Sequence, residues 1–130
     1  MSIALATLLA AAALGPCTVT DGDTIRCGDE RIRITGIDAP ETRACRQGRT
    51  CAPGDGQASK RALQAVVDGA SLTIVRIGRD RYGRTLALVY ADGENIACAQ
   101  LAARQAFYVA QWDDGGRVAA DCPALVSRTA

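Results

Sequence analysis

The chain contains no histidine, and only one of its fifteen cationic residues, Lys60, is a lysine. The first absence excludes imidazole bases and zinc–imidazole sites. The second leaves fourteen arginines, each a planar, permanently charged fork able to hold a phosphate through two N–H groups at once. Charge of either sign is scarce in total. The formal net charge is only +1, too small for nucleic acid to be held by bulk electrostatics alone. No apolar run is long enough to cross a bilayer, and neither an internal repeat nor a Cys-x-x-Cys pair occurs. What 130 residues, nearly half of them apolar, can build is one domain around one modest core.

The apolar run Ile3 to Leu14 has the length of a secretory h-region, with small residues at Ala11 and Ala13 for cleavage and no preceding Lys or Arg. Residues 1–14 therefore read as a signal peptide and 15–130 as the folded domain, with a buried N-terminal helix as the competing reading. Six cysteines, an even count, agree with export to an oxidising compartment, the periplasm or the exterior. Formally they allow fifteen pairings, the nearest-in-sequence set being Cys17–Cys27, Cys45–Cys51 and Cys98–Cys122. A zinc site built from Cys45, Cys51, Cys98 and Cys122 is the alternative.

Cys17 to Thr20 and Thr24 to Cys27 flank Asp21-Gly22-Asp23 and predict a β-hairpin. A turn centred on Gly22 would set Val19 opposite Ile25 and Cys17 opposite Cys27, with Cα atoms about 4.5–5.5 Å apart, inside disulfide range. The next strand, Arg31 to Ile34, alternates Ile32 and Ile34 with Arg31 and Arg33. Strict alternation puts Arg33 and Asp38 on opposite faces, so a bulge at Gly36 is expected to reset the phase before Pro40 ends the pairing. Residues 42–56 read as a loop carrying three arginines, which a Cys45–Cys51 bridge would hold near Glu41, with a solvated basic loop as the competing reading. A helix is predicted over Gln57 to Asp68, with Ser59, Ala62, Leu63 and Val66 forming its stripe, followed by strands at 71–77 and 84–90. Asp92-Gly93 marks a hairpin, Asn95 caps a helix over 97–105, and a last short helix spans 117–121, stopped by Pro123. This order suggests an α+β chain built on a five-stranded Greek-key barrel of the OB type with about three helices.

The carboxylates Asp23 and Asp38 with a backbone carbonyl would suit Ca²⁺, which accepts six to eight oxygens in loose geometry. Glu41, three residues past Asp38, could take a proton from water beside the ion. Arg33 and Arg84 could grip phosphate as charge builds on its oxygens.

Asp21-Gly22-Asp23-Thr24-Ile25, Arg33 to Glu41 (Arg-Ile-Thr-Gly-Ile-Asp-Ala-Pro-Glu) and Asp80-Arg81-Tyr82-Gly83-Arg84 resemble, in order and approximate spacing, the three signature blocks of the staphylococcal nuclease, or thermonuclease, family. The likeness covers about residues 17 to 112. It implies an OB-fold barrel with three helices and Ca²⁺-dependent hydrolysis of DNA and RNA to 3′-phosphate products. With the leader and the cysteines, the expectation is a secreted monomer. By position, Asp23 and Asp38 would bind the ion by side chain and Ala39 by its carbonyl. Glu41 would be the general base and Arg33 and Arg84 the phosphate clamps. Asp21 would support the ion's ligands, Arg81 and Tyr82 would touch a neighbouring phosphate or sugar, and Trp112 would flank a base. Departures from the family pattern are Ala39 in place of threonine, Asp114 at a lost aromatic position, an Arg-rich, cysteine-bounded loop and a short C-terminal helix. The alternative is a non-catalytic OB-type module that binds nucleic acid or protein.

Overall fold

A computed structural model describes residues 11–127. Most of the expected leader, residues 1–10, lies outside that range. Of the remainder of the apolar run, Ala12–Ala13 forms a short strand, β1. Eight further strands follow: β2 (Cys17–Asp21), β3 (Thr24–Cys27), β4 (Glu30–Ile34), β5 (Ile37–Asp38), β6 (Leu72–Arg79), β7 (Thr85–Ala91), β8 (Glu94–Asn95) and β9 (Phe107–Tyr108). The helices are α1 (Gly56–Val67), α2 (Ile96–Ala102), α3 (Arg117–Asp121) and α4 (Pro123–Val126).

The five long strands, β2, β3, β4, β6 and β7, are those expected. They lie in one sheet of order β1-β6-β7-β4-β3-β2, with β8 on β7 and a separate β5–β9 pair. All the pairings are antiparallel except β4 with β7, which run parallel with Arg33 beside Leu86. Arg33 on β4 and Arg84, the residue just before β7, are thereby brought to neighbouring strands. Beneath the sheet, Ile25, Ile32, Ile34, Ile74, Leu88 and Val89 meet Leu63 of α1 and Ile96 and Leu101 of α2 in the core. In α1, Ser59 and Leu63 are buried as expected, whereas Ala62 and Val66 are only half-buried and Val67 completes the buried stripe; Asp55 caps the helix by accepting from the N–H groups of Gln57 and Ala58.

The hairpin has the expected register, Cys17 opposite Cys27 and Val19 opposite Ile25, with a difference at its tip. Asp21 pairs with Thr24, so the two-residue turn is Gly22-Asp23, and a shift between Val19 and Asp21 absorbs the extra residue. All three nearest-in-sequence disulfides form, Cys17–Cys27, Cys45–Cys51 and Cys98–Cys122, and no described cysteine is free. The four-thiol zinc reading is therefore excluded, because those sulfurs are bonded in pairs. Among the described residues no helix is long and apolar enough to cross a membrane.

Several boundaries differ from expectation. Strand β6 runs to Arg79, two residues past the expected end, with a register shift between Arg76 and Gly78. Helix α2 stops at Ala102 because Arg104 takes a left-handed conformation, φ 56°. Pro123 opens α4 rather than merely ending α3, since its missing N–H costs nothing in a first helical turn.

Candidate nucleic-acid cleft

Asp23 sits in the β2–β3 turn with only 6% of its surface exposed, and every one of its oxygens is engaged. Its carbonyl accepts from Ile34 N–H at 2.8 Å, Oδ1 accepts from Thr24 Oγ1 at 2.8 Å, and Oδ2 accepts from Ala39 N–H at 2.8 Å. The turn is held from below. Gln100 of α2 donates to Gly22 O at 2.8 Å and to Ser59 O at 3.0 Å. A Cβ on Gly22 would fall 1.8 Å from Ser59 Oγ, so only glycine fits there. Asp21, at the end of β2, accepts from both Thr42 N–H and its hydroxyl at 3.0 and 2.9 Å, anchoring the chain just past Glu41.

The guanidinium of Arg33 joins the two acidic segments. Its Nη2 stands 3.3 Å from Asp23 Oδ2 and 3.5 Å from Asp38 Oδ1, while Nη1 donates to Ile34 O at 3.0 Å and Ile37 O at 2.9 Å. Arg33 and Asp38 thus meet as expected, but by another device. The strand stops at Ile34, a turn at Thr35-Gly36 with Gly36 at φ 82° reverses the phase, and β5 restarts against β9. No bulge is needed. The Arg33 guanidinium also lies 5.4 Å from the centre of the Trp112 ring, and Thr35 Oγ1 donates to Trp112 O.

Glu41 is placed by close backbone packing. A Cβ on Gly56, the first residue of α1, would come within 2.0 Å of Glu41 O. The Glu41 carboxylate pairs with Arg49 at 3.1 Å. Arg84 is oriented by Asp80, whose Oδ2 accepts from Arg84 Nε at 2.7 Å and whose Oδ1 accepts from the Tyr82 and Arg84 N–H groups at 2.9 and 3.0 Å. Burial alone would raise the Asp80 carboxyl; the donors from Arg84 and Tyr82 outweigh it and hold it below the usual range. Tyr82 is exposed, with the Arg81 and Arg84 guanidiniums 5.1 and 5.6 Å from its ring centre and Arg31 donating to its carbonyl.

One cleft of about 750 Å³ is lined by Asp21, Asp23, Arg33, Asp38 and Glu41 together with Arg81, Tyr82, Arg84 and Trp112. Ala39 is absent from its lining and buried to 1% exposure behind Asp23. Asp114, at the position of the missing aromatic, lines the cleft as a carboxylate instead. The Cys45–Cys51 ring forms and brings one of the loop arginines, Arg49, to Glu41, as expected. Two contributors escape sequence reading. Asp80 stood in a quoted block without a role, although an Asp opening a tight turn is itself a signal. Gln100 had no signal at all, being 78 residues from Gly22.

Burial raises the Asp38 carboxyl above its ordinary value, opposed by Arg33 and reinforced by the negative charges of Asp23 and Glu41. One guanidinium between two carboxylates leaves negative charge over, and the donors there are hard oxygens. That combination fits a divalent cation such as Ca²⁺. Among the described residues no group of three or more Cys, Asp or Glu side chains converges as a metal cage, so an ion here would lean on backbone and water oxygens as well.

A model of the staphylococcal nuclease homologue family matches residues 31–120. An endonuclease of Haemophilus influenzae, described as uncharacterized, is 37% identical over 83 residues, 60% of this chain and 42% of that protein. Succinoglycan biosynthesis protein ExoI of Rhizobium meliloti is 36% identical over 86 residues, 64% of this chain and 45% of that protein. An endonuclease of Escherichia coli, likewise described as uncharacterized, is 40% identical over 83 residues, 60% of this chain and 48% of that protein. The matched part thus spans less than half the length of these relatives.

Proposed function

The chain belongs to the staphylococcal nuclease homologue family, and on that premise we propose that it is a Ca²⁺-dependent phosphodiesterase cutting DNA and RNA to 3′-phosphate products. The observation that carries the reading is the meeting of Arg33, Arg84 and Glu41 with Asp23 and Asp38 around one cleft. Ca²⁺ would be held by the Asp23 and Asp38 carboxylates and the Ala39 carbonyl, and when bound it supplies charge neutralisation at the phosphate.

The chain's own residues do the rest. Asp80 engages Nε of Arg84, which leaves the guanidinium's Nη atoms for a phosphate. Arg33 is fixed by two carbonyls and two carboxylates, so its charge is oriented before substrate arrives. Glu41 takes the proton of a water whose oxygen bonds to phosphorus as the P–O5′ bond breaks, and the leaving O5′ takes a proton from solvent to become a 5′-hydroxyl. Tyr82 and Trp112, both about half exposed, offer ring faces to sugar or base. The strand order, with parallel β4 and β7 joining two antiparallel sets, supports an OB-type barrel. Three disulfides support a periplasmic or extracellular protein. Residues 1–14 would be its export signal and the working form a monomer.

Digestion of plasmid DNA and of single-stranded RNA, with Ca²⁺ and with chelator, tests this. Cutting is expected only with Ca²⁺, and Glu41→Gln is expected to slow it by about 10²–10⁴-fold. Undiminished cutting by Glu41→Gln would remove the base assignment. Binding without any cutting would leave a nucleic-acid-binding module.

A further inference from the structure

One wall of the cleft is a covalently closed loop. The Cys45–Cys51 disulfide joins residues six apart, and inside the ring Arg49 N–H donates to Arg46 O at 3.1 Å across a turn in which Gly48 takes φ 85°. From this ring Arg49, Thr50 and Cys51, with the adjoining Ala52, face the cleft. Arg49 reaches Glu41 at 3.1 Å, although its side chain is 60% exposed.

Those facts conflict with a static picture. A carboxylate tied to a guanidinium is a poorer acceptor for a water proton, so a pair at this position must open if Glu41 is to work. An ion pair with so exposed a guanidinium is held weakly, so it exchanges readily. A phosphodiester offers the same guanidinium two charged oxygens in bidentate geometry. The ring keeps Arg49 within reach of both partners and limits how far it can wander.

We propose that Arg49 is a substrate-contacting residue, delivered by the Cys45–Cys51 ring, that leaves Glu41 for a backbone phosphate when a polynucleotide enters, releasing the carboxylate in the same event. This rests on the nuclease reading for the use of Glu41, and its test is kept separate by measuring binding rather than cutting. A fluorescent single-stranded oligonucleotide is titrated in chelator, where cleavage is off, across a salt series.

Arg49→Gln weakens binding by about tenfold and lowers the slope of log affinity against log salt by roughly 0.7, the value for one lost contact on a single strand. Arg49→Lys retains the slope. Glu41→Gln tightens binding in the Arg49 background by about threefold more than in the Arg49→Gln background, because only there is a parked guanidinium set free. Cys45→Ser/Cys51→Ser, which leaves every charge in place, weakens binding in the same direction as Arg49→Gln. An Arg49→Gln protein with wild-type affinity and slope would overturn the proposal, and so would a Glu41 effect equal in both backgrounds. Absence of Ca²⁺-dependent cutting by the wild type would instead strike at the nuclease reading alone.

Discussion

The side-chain amide of Gln100 donates to the carbonyl of Gly22 at 2.8 Å, joining the second long helix to the turn that carries Asp21 and Asp23. Gln100 is fully buried, and its Oε1 has no hydrogen-bond partner among the described residues. An orphaned buried acceptor costs free energy, and here the cost is borne at the point that fixes the acidic turn.

Replacing Gln100 by leucine keeps the volume but strands the Gly22 and Ser59 carbonyls, so we expect a loss of about 1–3 kcal/mol in urea unfolding. Gly22→Ala should be worse, since its methyl would overlap Ser59 Oγ. Adding Ser59→Gly to Gly22→Ala should recover part of that loss. A double variant no more stable than Gly22→Ala would show that the clash is not with Ser59.

Arg84→Ala should lower kcat/KM by about 10²–10³, the usual loss for one preorganised donor at a reacting centre. Asp80→Asn leaves the guanidinium in place but removes the carboxylate that aims it, and a smaller loss of about tenfold is expected. Equal losses would mean that Asp80 serves the fold rather than the aim of Arg84; kinetics on one oligonucleotide compare them.

Glu30 predicts a pH effect. It accepts from Arg76 at 2.7 and 2.8 Å and from Thr85 Oγ1 at 2.8 Å, tying the start of β4 to β6 and β7. The hydrogen bonds from Arg76, with burial opposing and Thr85 assisting, pull its pKa from 4.5 to about 2. A depressed folded-state value means that stability is present above the unfolded pKa and is lost as pH falls from 4.5 through about 2. Because Arg76 is half exposed, solvent screening limits the contribution to about 1 kcal/mol. Glu30→Gln should therefore melt about 4 °C below wild type at pH 7, with the gap closing as pH falls toward 2.

Removing Cys98–Cys122 as a pair of alanines should cost about 3 kcal/mol on the loop-entropy account, because it closes 24 residues and ties α3 and α4 to α2. Removing Cys45–Cys51, which closes six in an exposed loop, should cost less. Thermal melts of the two variants rank them, and the reverse order would contradict the account.

Much of the fold was legible because its signals are local. Alternation gave the strands, Asp92-Gly93 the β7–β8 turn, Asn95 the cap of α2, and the hairpin register brought Cys17 to Cys27 with Cα atoms 4.1 Å apart. The register shift in the same hairpin was not legible, because a one-residue irregularity carries no composition of its own. The end of β6 was misjudged for a similar reason: Gly78 reads as a breaker, yet pairing with Leu86 holds it in the sheet.

By itself the sequence determined the acidic turns, the arginine-bearing strands, the three blocks and the cysteine spacing, since each depends on neighbours within a few residues. Only the tertiary structure decided that Arg33 bridges Asp23 and Asp38, that Gln100 props Gly22, and that of the three loop arginines it is Arg49 that rests on Glu41. Those contacts need the parallel β4–β7 pairing, the helix packed beneath the turn and a ring folded over the cleft. Their geometry is a property of the closed chain, which local preference leaves open and packing fixes.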